Sequence, residues 1–240
     1  MMETALVHHA VIDHGSWTEH HLATVDDSAE ALSALTEALA CDGLTPVRFD
    51  RFASRRDGDG PLRLLPLDQG GIGGTQVLAV RGLALRPVRV AGRCVGFTGE
   101  DEHLRWCWLD RLLPADAALS EAEQTTQVYD LMEQALADAG LAFTDVVRTW
   151  FYNRRILDWY DGFNRVRTAR FRAAGVFDRL VPASTGIGLE NSAGTALLAD
   201  VLAVQARSDE ARIETVASPL QCPAPAYGSS FSRAVAITTP

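Results

Sequence analysis

Ser120-Glu121-Ala122-Glu123 opens the stretch that most constrains how this chain can fold. Ser followed three residues later by Glu is a capping box, in which each end satisfies a free N–H group of the other. Beyond it Val128, Leu131, Met132, Ala135, Leu136 and Ala139 recur at helical spacing, and Gly140 marks the stop. A helix with a single apolar stripe must bury that stripe against another layer. The neighbouring sequence supplies one. Val77 to Val90, Arg93 to Phe97 and Leu104 to Leu109 read as short strands before the helix. Asp145 to Tyr152 reads as a strand after it. A second helix follows over Ile156 to about Ala174, with Ile156, Trp159, Tyr160, Phe163 and Val166 on one face and Gly175 as its cap. Thr195 to Gln205 is the last strand of this unit, and Pro182 to Gly194 reads as a Gly/Ser/Thr-rich loop. Residues 77 to 207 therefore predict β-β-β-α-β-α-β, an α+β fold.

The first 68 residues predict a smaller β-α-β extension. Its parts are a strand over Ala5 to Ile12, a helix over Asp27 to Cys41 and a strand over Val47 to Phe52, followed by a polar turn at Arg55 to Gly60. Residues 69 to 76, QGGIGGTQ, lack the G-x-G-x-x-G order, so a loop is preferred to a phosphate cradle. Three parts result: 1–68, 69–215, and a tail of 216–240. In the tail a Pro-rich link, Ser218 to Pro225, precedes a strand over Tyr227 to Ile237 that has no expected mate.

Composition excludes several chemistries. All 22 basic residues are Arg. Without Lys, neither a lysine Schiff base nor a Walker-type phosphate loop can form, so no cofactor is expected. A formal charge of −9 disfavours nucleic acid. Cys41, Cys94, Cys107 and Cys222 lack a C-x-x-C spacing, and no apolar run reaches membrane-span length. A cytoplasmic protein with reduced thiols and no membrane partner is expected.

Thr149-Trp150-Phe151-Tyr152, Trp159 through Thr168 (WYDGFNRVRT) and Pro182 through Gly188 (PASTGIG) resemble the chorismatase group of the wider Rid (YjgF-like) superfamily. Gln124-Thr125, Asp145-Val146-Val147, Ser218 through Pro223 and Ser230 through Val235 add to the likeness, which covers most of residues 85 to 237. The resemblance implies a chorismate-mutase-like mixed sheet covered by two helices, assembled as a homo-oligomer, with a trimer favoured. It implies hydrolysis of chorismate to pyruvate and a benzoate-type product in aromatic secondary metabolism. It also implies a second Rid-like domain, of which this chain would hold only the first strand, in 216–240. Ser184 stands where Rid imine deaminases carry the Arg for a substrate carboxylate, which argues against that activity.

Seven arginines fall between residues 148 and 172, opposed there by Asp158 and Asp161. Arg148 and Arg165 are the candidates to grip a small anionic carboxylate by bidentate hydrogen bonds, against a solvated-surface reading for the cluster as a whole. Tyr152 is a candidate pocket wall, though core is the commoner fate of such a residue. Tyr227 and Arg233 are candidates to reach a neighbouring subunit's cleft. Glu190 is the candidate catalytic acid or base, against a plain solvated carboxylate. The histidines at 8, 9, 14, 20 and 21 match no metal geometry, so no metal is expected. The alternative to an enzyme is a non-catalytic Rid-like module that binds a small carboxylate or acts as a pathway scaffold.

Overall fold

The computed structural model describes residues 6–53, 64–66 and 73–240. Strands β1 (Val7–Asp13) and β2 (Thr18–Thr24) form a hairpin. Helix α1 (Ala29–Cys41), β3 (Thr45–Phe52), β4 (Leu64–Pro66) and β5 (Gly74–Arg81) complete the first half. The second half holds β6 (Leu85–Val90), β7 (Arg93–Glu100), β8 (Leu104–Leu112), α2 (Glu121–Asp138), β9 (Val146–Asn153), α3 (Ile156–Ala173), β10 (Ala183–Asn191) and β11 (Leu197–Ala206). A separate hairpin, β12 (Arg212–Val216) with β13 (Ala234–Thr238), closes the chain. The fold is α+β, as expected. No helix among the described residues is long and apolar enough to cross a membrane. The turn at 55–60 and most of the 69–76 loop lie outside the described residues.

Eleven strands form one sheet, in the order β1-β2-β5-β3-β4-β10-β9-β11-β8-β7-β6. This order contains a repeat that the sequence reading missed. The run β1-β2-β5-β3-β4 has the same connections and senses as β7-β8-β11-β9-β10, and the fourth pair in each run is parallel while the other three are antiparallel. Helix α1 follows β2 as α2 follows β8. Among the described residues the first run shows no counterparts of β6 and α3. The two runs meet at equivalent edges, β4 antiparallel to β10. The expected boundary at residue 68 therefore falls inside a continuous sheet, and β5 pairs with β2 and β3.

Three further expectations are corrected. Residues 182–194 were expected to be a loop, yet Ala183–Asn191 form β10, parallel to β9. Glycine hid this strand. A Cβ at Gly186 would come 3.2 Å from Ile156 Cδ1, so the missing side chain lets α3 pack onto the strand. The tail strand is not unpaired, since β13 pairs antiparallel with β12, an element not anticipated. The extension is β-β-α-β-β rather than β-α-β, because β2 and the short β4 were overlooked.

The second-half sheet is buried on both faces. Helices α2 and α3 cover one face through Val128, Tyr129, Met132, Leu136, Phe163 and Phe171, each at most 2% exposed. The capping box of α2 is formed, with Ser120 N–H donating to Glu123 Oε2 at 3.0 Å. On the other face Trp106 and Trp108 pack against Trp17, Val47 and Val80 of the first half, which folds back over them. Asp101 Oδ2 accepts from both Trp17 Nε1 (2.9 Å) and Trp106 Nε1 (3.1 Å). Cys107, between two of these tryptophans, is fully buried, and burial pushes its thiol up to about 12, so it is inert.

Candidate functional site

Folding the first half back over the second places charges from both inside the fold. On β3, Arg48 and Asp50 alternate with the core residue Val47 and with Phe49. Arg48 Nε donates to Asp200 Oδ2 (3.1 Å) on β11, and Arg48 Nη2 donates to Asp50 Oδ2 (2.5 Å) and to the Tyr152 hydroxyl (3.0 Å) on β9. The Tyr152 hydroxyl in turn donates to Asp50 Oδ2 at 3.2 Å. Arg111 takes a left-handed conformation (φ 53°) opposite the bulge at Ala199/Val201, which turns its N–H onto Asp200 Oδ1 at 2.8 Å. Its Nε donates to Asp110 Oδ2 at 2.7 Å.

Three carboxylates, Asp50, Asp110 and Asp200, thus present oxygens within 4.8 Å of one another. Two arginines oppose them, so the cluster is one positive charge short. Burial, then Asp50 and Asp110, push Asp200 well above the usual carboxylate range, and burial lifts Asp110 to about 6. For Arg48, burial works against the charge, but Asp200 and Asp50 outweigh it and hold the guanidinium above its ordinary value. Burial and the neighbouring Asp50 raise Tyr152 above its ordinary value. Asp50 Oδ1 is buried and has no hydrogen-bond partner among the described residues. The cluster therefore retains a proton more readily than isolated carboxylates do.

Beside it opens a cleft of about 810 Å³, between the β1–β2 hairpin, β3 and β9. Arg48, Asp50, Arg148 and Trp150 line one side, and His8, His21 and Glu19 line another. Arg48 and Arg148 flank the Trp150 ring, at 4.1 and 5.2 Å from its centroid. Arg148 is half-buried and donates from Nη2 to Thr185 Oγ1 at 2.5 Å. No carboxylate pairs with Arg148 among the described residues. Burial and the charge of Arg48 lower its pKa. An arginine short of a counter-charge beside an indole face fits a planar anion, through paired hydrogen bonds and stacking.

The structure brings only part of the predicted set to this cleft. Arg148 lines it, and the hydroxyl of the buried Tyr152 lies one hydrogen bond behind its wall. Glu190 is on β10, in register with Leu65 of β4, and does not line the cleft. Arg165 is exposed on α3, in a separate hollow with Ser120 and Trp159. Tyr227 and Arg233 pair with each other, Arg233 Nη2 donating to the Tyr227 hydroxyl at 2.7 Å. Arg233 reaches a smaller hollow beneath α3, together with Arg167 and Phe231. Arg155 pairs with Asp158, and Arg170 pairs with Asp130. Of the N-terminal histidines, His9 and His20 share a hydrogen bond of 2.8 Å.

Sequence reasoning missed Arg48, Asp50 and Asp200. A signal existed. Asp200 is the sole charge in the apolar run Thr195 to Gln205, and an ionisable group on such a strand demands a partner. Its partner lies 152 residues away, out of reach of any local pattern.

Solved structures of YjgF family proteins match about half of the chain. The YjgF gene product of E. coli is 16% identical over 50% of this chain and 92% of its own, with a TM-score of 0.40. A YjgF family member from Neisseria meningitidis is 19% identical over 52% and 98%, at 0.38. E. coli TdcF with bound serine is 12% identical over 50% and 92%, at 0.40. No protein-family model and no curated protein matches the sequence.

Proposed function

We propose that the chain binds chorismate or a related cyclic carboxylate in the cleft beside Trp150, with Arg148 gripping the carboxylate. The observation that carries this reading is Arg148 itself: half-buried, without a carboxylate partner among the described residues, and set against an indole face. The sequence likeness to chorismatases, which includes the strand bearing Arg148 and Trp150, supports the ligand class. Hydrolysis to pyruvate and a benzoate-type product is the enzymatic form of the proposal, with Asp50 beside the ligand and Asp110 and Asp200 behind it as the local store of protons. The position of Glu190 away from the cleft favours the second reading, a binding module without turnover. A coupled pyruvate assay with chorismate separates the two. Release that falls at least about a hundredfold in Arg148→Ala supports the enzyme. Saturable binding without pyruvate supports the module, and neither binding nor release refutes the ligand class.

A further inference from the structure

Among the described residues the repeat leaves one strand position unfilled. In the second half β6 pairs along the outer edge of β7. In the first half β1 takes the place of β7, and nothing among the described residues pairs along its outer edge. The two ends of the eleven-stranded sheet are also guarded differently. The β6 edge carries Pro87, a bulge at Val88/Arg89, and Arg86 and Arg89 held by Asp138. Each of these blocks strand addition. The β1 edge has none of them. Six of its seven residues are exposed, with Val11 at 53% and Ile12 at 48%. Residues 6–12, LVHHAVI, contain no Asp, Glu or Arg, in a chain whose net charge is −9.

We propose that β1 is a homodimerisation edge, on which the β1 strand of a second copy of this chain adds antiparallel. The strand is self-complementary about a two-fold axis at Ala10. That register sets Ala10 against Ala10, Val11 against His9, Ile12 against His8 and Val7 against Asp13, so no like charges face each other. The low charge of this segment also keeps like charges out of the contact between two acidic copies. The added strand takes the position beside β1 that β6 takes beside β7. Because His8, His9 and Ala10 line the cleft, the second copy's β1 extends the cleft wall on its open side. The site is then built from both chains. This inference does not depend on which ligand the cleft takes.

The test is the molar mass of the full chain by sedimentation equilibrium, for the wild type, Val11→Lys and Leu157→Lys. Val11→Lys puts a charge on the edge twice per dimer. Leu157→Lys alters a residue that is 89% exposed on α3 and serves as the surface control. The expected result is a wild-type dimer whose dissociation constant rises about tenfold or more in Val11→Lys and is unchanged in Leu157→Lys. Amide exchange in β1 of the wild type is expected to slow as protein concentration rises, which tests the contact without any substitution. A monomeric wild type overturns the proposal. So does any oligomer, a trimer included, that Val11→Lys leaves intact, or β1 exchange that does not change with concentration.

Discussion

Arg48 and Asp200, 152 residues apart in the chain, meet at 3.1 Å where the first half of the sheet folds over the second. Asp200 is fully buried and the Arg48 side chain is 16% exposed. The pair therefore ties the two halves together in a poorly solvated setting, where removing one partner costs far more than the pair itself gains.

Arg48→Met leaves Asp50 and Asp200 without their cation. Unfolding in urea should show a loss of about 3–5 kcal/mol. Adding Asp200→Leu to Arg48→Met should recover part of that loss, and the double-mutant cycle should return a coupling above about 1 kcal/mol. Additive losses would mean that the two residues do not interact energetically.

The raised carboxylates fix the sign of one pH effect. Asp110 titrates near 6 when folded and near its ordinary 3.8 when unfolded, so between those values the folded state holds more protons. Stability then falls as pH rises through about 4 to 6 and levels off above, and Asp200 adds to the same trend. Denaturant midpoints should be higher at pH 5 than at pH 7.5, and Asp110→Asn should flatten that difference.

Glu190 stands outside the cleft, in register with β4. Glu190→Gln should leave chorismate affinity within about twofold of wild type by calorimetry, since it removes no group facing the ligand. A tenfold loss would move the site to β10.

The capping box gives a check on local structure. Ser120→Ala removes the side chain that accepts from Glu123 N–H and should cost about 1 kcal/mol by thermal unfolding, without changing ligand binding.

Features that depend on residues close in sequence were legible without the structure. The α2 cap, its apolar stripe, the strand at β9 and the inert Cys107 follow from spacing and residue type. Arg148 stood out because a charge on a strand next to Trp150 needs a partner or a ligand. What was hidden depends on distant contacts. β10 escaped notice because Gly186 and Gly188 interrupt the apolar alternation that marks a strand, and the reason for Gly186 lies in Ile156, thirty residues earlier in the chain. The repeat was invisible because its two copies match in strand order and sense rather than in any local residue pattern. Arg48 and Asp50 carry no local signal, because their partners on β11 and β9 lie more than 100 residues away in the chain.

Arg148 is proposed above as the carboxylate grip of the cleft. Isothermal titration of wild type and Arg148→Ala with chorismate tests it most directly. Arg148 has no ion-pair partner among the described residues, so the variant should fold with a stability loss below about 1 kcal/mol. Saturable wild-type binding weakened at least about tenfold by Arg148→Ala is the predicted result. Equal binding by both proteins, or no binding by the wild type, would show that Arg148 does not hold the carboxylate.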